Sequence, residues 1–330
     1  MRNKILNYLK ASQDFVSGEE ISRALAVSRT AVWKYIKQLQ GEGFSIEAVS
    51  HRGYRLCKEP DKLFPESVQA NLKTKVFGKE IIYFESIDST MDLASKFASE
   101  GAQEGTIICA EQQIKGRGRL GRNWVSPKGK GIYFSVILRP RISLSFASQL
   151  TLVFAVALCQ AIRVSTGMKA VIKWPNDILV NRKKAVGILT ELNAEMDRIN
   201  FVILGVGVNV SGKLPPSLSQ ATCLEKETDQ KISRVELFKE ILRQMEKYYE
   251  LFHQKGFAPI ADTWRSLSAT LNTKVKVLEL NKITQGTAVD IDAQGALLIR
   301  ERSGAIVKKI SGDIVHLRHA PLENKKRGYQ

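Results

Sequence analysis

The stretch EQQIKGRGRLGR, Glu111 to Arg122, sets glycines at 116, 118 and 121 among basic residues, and no acidic residue occurs from Gln112 through Asn176. Glycine lets the main chain approach a ligand closely or take positive φ, and guanidinium groups grip phosphate or carboxylate oxygens in pairs. The spacing also satisfies G-x-G-x-x-G, whose dinucleotide-binding form needs a preceding strand, a helix opening on the glycines and an acidic residue about twenty positions on. A strand pattern, Thr106 to Ala110, does precede it. The rest does not fit. Asn123, Trp124 and Val125 run into Ser126 and Pro127, then a turn and the strand-like Ile132 to Leu138, with no carboxylate at the required distance. The stretch therefore reads as a mobile basic loop between strands, closing over an anionic ligand, and not as a dinucleotide site. A ligand-free Gly/Arg loop is the plainer alternative; Trp124 and three glycines are costly choices for mere linkage.

Strand and helix patterns alternate on both sides of this loop. Ile81 to Phe84 is a strand, Ser86 to Thr90 a turn, and Met91 to Ala98 a helix capped from Ser89 or Thr90. Leu150 to Val164 and Val235 to Phe252 are long helices, and Val171 to Trp174, Ile178 to Val180, Val186 to Leu192 and Phe201 to Val210 are strands. Together they predict a mixed sheet with helices packed on it. Lys184 stands at the mouth of a buried-type strand, where a lysine can be held still, although hairpin-tip solubility describes most lysines in such a place. Gly205, Gly207 and Asn209 make a small-residue strand face on which a flat ligand could lie, or simply close sheet packing. Asp177 ends the acid-free span, placed to orient a cation, to hold a metal ion, or to cap a turn.

At 330 residues the chain predicts two or three domains. A formal charge of +17 favours anionic partners without choosing between nucleic acid and nucleotide. Four scattered cysteines form neither a zinc pattern nor a disulfide framework. No apolar signal segment opens the sequence, and the apolar run Leu150 to Ile162 is short for a bilayer, so a cytoplasmic protein without a membrane partner is expected.

In the first sixty residues, Ile5, Leu6 and Leu9 stripe one helix. Ser17 and Glu20 form a capping-box spacing ahead of a second, and Ser28 caps a third carrying Val32, Trp33, Ile36 and Leu39 toward the core. A hairpin follows, Phe44 to Val49 and Tyr54 to Leu56, with a basic tip. This is the pattern of a winged helix-turn-helix, with Ser28, Arg29, Thr30, Lys34 and Arg52 as candidates for DNA contact; the alternative is a small packing module that meets no DNA. Lys58 to Pro65 reads as a linker. Beyond Trp264, the short strands Val275 to Leu280, Thr287 to Ile291, Ala296 to Ile299, Ile306 to Lys309 and Ile314 to Arg318 predict a small β-barrel, and ENKKRGYQ a solvated tail.

Five segments, taken together, resemble the bifunctional biotin protein ligase and biotin-operon repressor family. They are SGEEISRALAVSRTAVWKYIKQL, DST at 88 to 90, EGTIICAEQQIKGRGRLGRNWVSPKGKGIYFSVILRP, KWPNDILVNRKKAVGIL and GVGVN at 205 to 209, in order along nearly the full chain. The resemblance implies a winged helix-turn-helix DNA-binding domain (1–60), a mixed-sheet α/β ligase domain (66–270) and an SH3-like carboxy-terminal β-barrel (271–320). It implies formation of biotinyl-5'-AMP from biotin and ATP with Mg²⁺, no tightly bound organic cofactor, and transfer of biotin to a lysine of a carboxyl carrier domain of acetyl-CoA carboxylase or pyruvate carboxylase. Operator DNA and a homodimer formed by the adenylate-bound protein are the further partners it implies.

By the same resemblance, Lys184 and Arg119 are the catalytic candidates. Arg117, Arg119 and Arg122 contact the phosphate or order the adenylate, and Ser89, Thr90, Gln113, Gly116, Gly187 and Gly207 fall in the biotin pocket, with Asn209 beside them and Trp124 ordering the loop. Asp177 is the Mg²⁺-associated candidate. Two departures stand out: Met91 occupies a position where Asn often follows Ser-Thr, and no aromatic between Ser211 and Ser233 can stack on adenine, leaving Leu214 or Leu218 as candidates. A lipoate-type ligase and an adenylate-sensing repressor without turnover are the competing readings. The basic loop with KWPND disfavours the first, and retention of Arg119 and Lys184 the second.

Overall fold

Ile5, Leu6 and Leu9 form one stripe of α1 (Arg2–Ala11), and all three are buried in a computed structural model of the chain, which describes residues 1–12, 14–195, 198–278, 283–310 and 312–316. Ser17 Oγ accepts the Glu20 N–H at 3.0 Å to open α2 (Gly18–Leu25), and Ser28 Oγ accepts the Ala31 N–H at 3.1 Å to open α3 (Arg29–Gly41). Ala26, at φ 52°, turns the chain between them. An antiparallel hairpin follows, β1 (Ser45–Val49) and β2 (Gly53–Lys58). Gly53 is obligatory there: its φ is +105°, and a Cβ would fall 2.1 Å from the Val16 carbonyl oxygen. One expectation fails. Trp33 is 51% exposed, because Val32, Ile36 and Leu39 already form the buried stripe and the next residue around the helix is turned about 100° away from it. The unit closes at Lys62, and a second begins at Leu63.

The second unit opens with α4 (Pro65–Gln69), a short helix that begins at the last residue of the expected linker, with Pro65 in its first turn, where a missing N–H costs nothing. Then come β3 (Ile81–Phe84), α5 (Thr90–Ser99), β4 (Ile107–Ala110), β5 (Gly131–Leu138), α6 (Ala147–Thr166), β6 (Val171–Lys173), β7 (Asp177–Val180), β8 (Lys183–Glu195), β9 (Arg198–Asn209), α7 (Arg234–Lys255) and α8 (Ala258–Leu267). The strands form one mixed sheet in the order β3-β4-β5-β9-β8-β7-β6, in which only β3 and β4 are parallel.

Alternation along β9 sorts the two faces. Val202, Leu204, Val206 and Val208 join the main core with α6 and α7, whereas Phe201 and Ile203 lie with Met91, Ala94 and Ala98 of α5. By length and hydropathy the segment Leu144–Thr166 could cross a bilayer, longer than its apolar run suggested; here it is a core helix, with 12 of the 20 residues of α6 buried. Polar ties fix the frame. Glu111 and Arg234 form an ion pair at 2.7 Å with side chains 2% and 5% exposed, and Glu111 Oε1 also accepts the Leu63 N–H at 2.9 Å.

Five further strands follow: β10 (Lys274–Leu278), β11 (Ile283–Ile291), β12 (Leu297–Arg300), β13 (Ile306–Lys309) and β14 (Asp313–His316). The expected SH3-like barrel is not what they build. Their order is β13-β12-β11-β10-β14, every neighbouring pair is antiparallel, and the outer strands β13 and β14 have no ladder between them among the described residues, so the sheet is open. Closure would require those two edges to pair. The sheet instead covers its apolar face, with Val275, Val277, Leu297 and Ile299, by sharing one core with Leu152 of α6 and Trp264 of α8. Residues 279 and 280 of the first expected strand, the last two residues of the final one and the ENKKRGYQ tail lie outside the described residues.

Candidate active site

Where α5 stops covering the sheet, the same face of β9 changes from Phe201 and Ile203 to Gly205, Gly207 and Asn209. Gly187 and Leu189 of β8 pair across from Gly207 and Gly205. These residues line a cavity of about 220 Å³ whose wall also includes Thr90, Gln113, Trp124, Lys184 and three loop arginines. The flat group lying on the glycines is part of the protein. A Cβ on Gly207 would meet Trp124 Cε2 and Nε1 at 2.3 Å, and one on Gly187 would meet Cζ3 of the same ring at 2.7 Å. Gly205 is covered by Met91, whose Sδ would lie 2.6 Å from an added Cβ. The departure from Asn at position 91 thus places a polarizable thioether, not an amide, over the sheet.

The basic loop is a narrow hairpin. Arg117 and Asn123 bridge, the Gly118 N–H donates to Arg122 O at 2.6 Å, and the Trp124 N–H to Gly116 O at 2.8 Å. Leu120 and Gly121 turn it, at φ 56° and 71°. Gln113 ties its base to the sheet: Oε1 accepts from Thr90 N at 2.9 Å and Thr90 Oγ1 at 3.0 Å, while Nε2 donates to Ser126 Oγ at 3.0 Å. Thr90 Oγ1 further bonds Ser135 Oγ at 2.8 Å. Arg119 NH1 donates to Asn176 Oδ1 and to Gly312 O, both at 3.2 Å, so the carboxy-terminal sheet helps to hold this guanidinium. Arg117 takes another direction, toward Asp92 and Glu191.

Lys184 Nζ stands 2.6 Å from Asp177 Oδ1 and 5.4 Å from the centroid of the Trp124 ring. Asp177 Oδ1 is buried without a directed hydrogen bond, so the contact with Lys184 is ionic. The Lys184 backbone is pinned on both sides, donating to Gln220 O at 2.8 Å and accepting from Thr222 N at 2.9 Å. This brings Leu214, Leu218 and Ala221 over the cavity, where a purine would find aliphatic walls. Glu227 fastens the segment by accepting from Thr222 Oγ1 and, at 2.6 Å, from Asn181 Nδ2. Burial opposes its charge, but these hydrogen bonds and the nearby Lys183 and Lys226 outweigh burial and hold the carboxyl below its usual range.

Of the residues nominated from sequence, Thr90, Gln113, Arg117, Arg119, Arg122, Trp124, Asp177, Lys184, Gly187, Gly207 and Asn209 line one cavity. Ser89 does not; it caps α5, its Oγ accepting from Asp92 N at 3.4 Å. Gly116 packs beneath the loop, where a Cβ would fall 2.5 Å from Trp124 O. Sequence reading passed over Asn176, Ser126, Ser135 and Glu227, each of which has a partner in another segment of the chain; the Asn in KWPND was the one visible signal. Burial pushes the Cys109 thiol up and that of Cys159 up to about 12, which leaves neither poised as a nucleophile. Among the described residues no group of three or more His, Cys, Asp or Glu is placed to hold a metal ion.

In the amino-terminal unit, Arg29 and Thr30 share a groove with Trp33, Lys37 and His51. Ser28 is engaged as the α3 cap, and Arg52 lies 4.3 Å over the Phe15 ring and 3.4 Å from Asp14. Lys34 is exposed outside the residues lining that groove.

Residues 83–209 match the Biotin/lipoate A/B protein ligase family, residues 1–55 an HTH domain and residues 270–317 the Biotin protein ligase C terminal domain. The chain is similar to the Bifunctional ligase/repressor BirA of Bacillus spizizenii, 45% identical over 312 residues that cover 93% of this chain and 95% of that protein. The protein of the same name from Escherichia coli is 31% identical over 312 residues, covering 93% and 94%. Among solved structures, a biotin protein ligase from Aquifex aeolicus in complex with biotin and ATP superposes with a TM-score of 0.64 at 30% identity, over 73% of this chain and 99% of that one. With a helix-turn-helix ahead of a ligase sheet and full-length similarity at this level, the chain belongs to the bifunctional biotin ligase/repressor family.

Proposed function

We propose that the chain activates biotin with ATP, passes it to a lysine of a biotin carboxyl carrier domain, and represses biotin genes through its helix-turn-helix. The observation carrying this reading is the convergence of Arg119, Lys184 and Trp124 on one cavity in a chain of this family. In the first step a carboxylate oxygen of biotin attacks the α-phosphorus of ATP and the bond to pyrophosphate breaks. In the second, the acceptor amine attacks the acyl carbonyl and the bond to AMP breaks.

Both steps crowd anionic oxygens together, so catalysis rests on fixed cations. Lys184, held at both backbone ends, supplies the charge where carboxylate and α-phosphate meet. Arg119 steadies the adenylate, and the loop with Trp124 keeps water from the mixed anhydride. Gln113 and Thr90 offer polar contacts at the biotin end, next to Gly187, Gly207 and Asn209. Arg122 is a phosphate contact. Mg²⁺ bound to the ATP phosphates would neutralise part of their charge, and Asp177, ion-paired to Lys184, is the residue that would offer it an oxygen.

Residues 1–60 bind operator DNA, 66–270 carry the chemistry and 271–320 flank the site. Carrier domains of acetyl-CoA carboxylase or pyruvate carboxylase are the acceptors, the adenylate-bound form pairs as a homodimer, and the protein works in the cytoplasm. The test incubates purified protein with ATP, Mg²⁺, an apo carrier domain and either biotin or lipoate, and follows acceptor mass. A biotin adduct that disappears in Lys184→Ala is expected. A lipoate adduct, or none under verified folding, refutes the reading.

A further inference from the structure

The loop of residues 112–124 contains no acid, yet its Arg117 guanidinium is not free. NH2 donates to Glu191 Oε2 at 2.8 Å and lies 2.9 Å from Asp92 Oδ1. The two acids come from different elements: Asp92 from the first turn of α5, where a carboxylate is favoured, and Glu191 from β8, on the same sheet face as Gly187 and Leu189. Neither acid is among the residues lining the cavity. A cation holding two carboxylates is a weak choice for gripping a third anion, because each approach by phosphate would have to overcome the charge of the pair already in place.

We infer that Asp92 and Glu191 are positioning residues that fasten the basic loop across the site by clamping Arg117, and that Arg117 serves the reaction through this clamp instead of through contact with phosphate. This rests on the ligase reading. The geometry supports it in three ways. Arg117 bridges Asn123, directly before Trp124, so a fixed Arg117 fixes the backbone from which the indole reaches Gly207. The clamp joins loop, helix and sheet through one guanidinium, adding to the tie that Gln113 makes to Thr90 at the loop's base. A second pair, Lys115 to Asp88 at 2.8 Å, fastens the start of the loop to the segment leading into the same helix. The acids missing from the loop are thus supplied from residues 88 to 92 and 191, outside the volume that the anionic ligand fills.

The experiment measures how long biotinyl-5'-AMP, formed in place from labelled biotin and ATP, stays on the protein after a chase with unlabelled biotin. Two partly exposed pairs on one guanidinium place the effect at about three- to tenfold. Asp92→Asn combined with Glu191→Gln should speed release by that factor. Arg117→Ala should match it, and the triple variant should be no faster than Arg117→Ala alone, since all three remove one clamp. Raising salt, which cuts the Debye length from about 10 Å at 0.1 M to about 3 Å at 1 M, should accelerate release more in the wild type than in the double variant. Glu100→Gln, a neutralisation at the far end of α5, should leave release unchanged. Equal or slower release from the double variant would overturn the inference, because an unclamped Arg117 would then be serving the phosphate directly. Additive losses in the triple variant would overturn it too. A wild type that forms no adenylate sinks the ligase reading instead, so the two failures are separable.

Discussion

Gly207→Ala is the sharpest perturbation of this site. The added methyl would sit 2.3 Å from Trp124 Nε1 and Cε2. Carbon contacts settle at about 3.5 Å, so the indole must retreat by roughly 1.2 Å. Its anchor is fixed, because the Trp124 backbone N–H is bonded to Gly116 O at 2.8 Å and Gly116 is itself packed against Trp124 O and Ser126 Oγ. The hairpin therefore moves with the ring, taking the arginines with it. A misplacement of about 1 Å is enough to cost on the order of a hundredfold in rate, while overpacking relieved by a surface loop costs at most about 1–3 kcal/mol of stability. The assay is biotin-dependent pyrophosphate release, with thermal unfolding as the control. Activity should fall by about two orders of magnitude with a small change in Tm. Gly205→Ala, whose close contacts are to the Met91 side chain and not to the loop, should lose far less. Trp124→Ala removes the obstacle, so Gly207→Ala in that background should add nothing. Near-wild-type turnover in Gly207→Ala, or a strong further loss in the Trp124→Ala background, would show that the glycine floor serves something other than the indole.

Three other outcomes follow from particular contacts. Glu111→Ala should destabilise the second unit by about 3–5 kcal/mol, measured by denaturant unfolding, because it removes the buried carboxylate that balances the Arg234 charge; a loss below about 1 kcal/mol contradicts a buried pair. Glu227 has a depressed carboxyl pKa, so its contribution is present above the unfolded value of 4.5 and is lost as pH falls through the folded one. The Tm advantage of wild type over Glu227→Gln should be full at neutral pH and shrink below pH 4.5, and a pH-independent difference refutes the charge argument. Trp33→Ala should leave Tm nearly unchanged, since the ring is 51% exposed; a large drop would mean that it is packed.

Local chemistry reads well from a sequence when its cause is local. The Ser17 and Ser28 caps, the α1 stripe and the strands on either side of the glycine-arginine loop depend on neighbours a few residues apart, and the structure places them as expected. Trp33 shows the limit: periodicity assigned it to a core that Val32, Ile36 and Leu39 had already filled, and a helical stripe is narrower than the number of apolar residues near it. The barrel failed for a related reason. Strand lengths and turns are written locally, whereas closure depends on whether two strand edges meet, and here the apolar face found α6 and α8 before its own edge.

For the site itself, the sequence determined which residue types were available: a loop of cations without acids, a lysine at a strand mouth, and glycines on one face of β9. Only the tertiary structure decided what each of them touches. It laid Trp124 on Gly187 and Gly207, gave Arg119 an oxygen from Gly312 nearly two hundred residues away, and turned Arg117 to Asp92 and Glu191. Charge is a property of composition and can be read along the chain. Pairing is a property of distance, and distances between α5, β8 and the loop exist only once the sheet has folded.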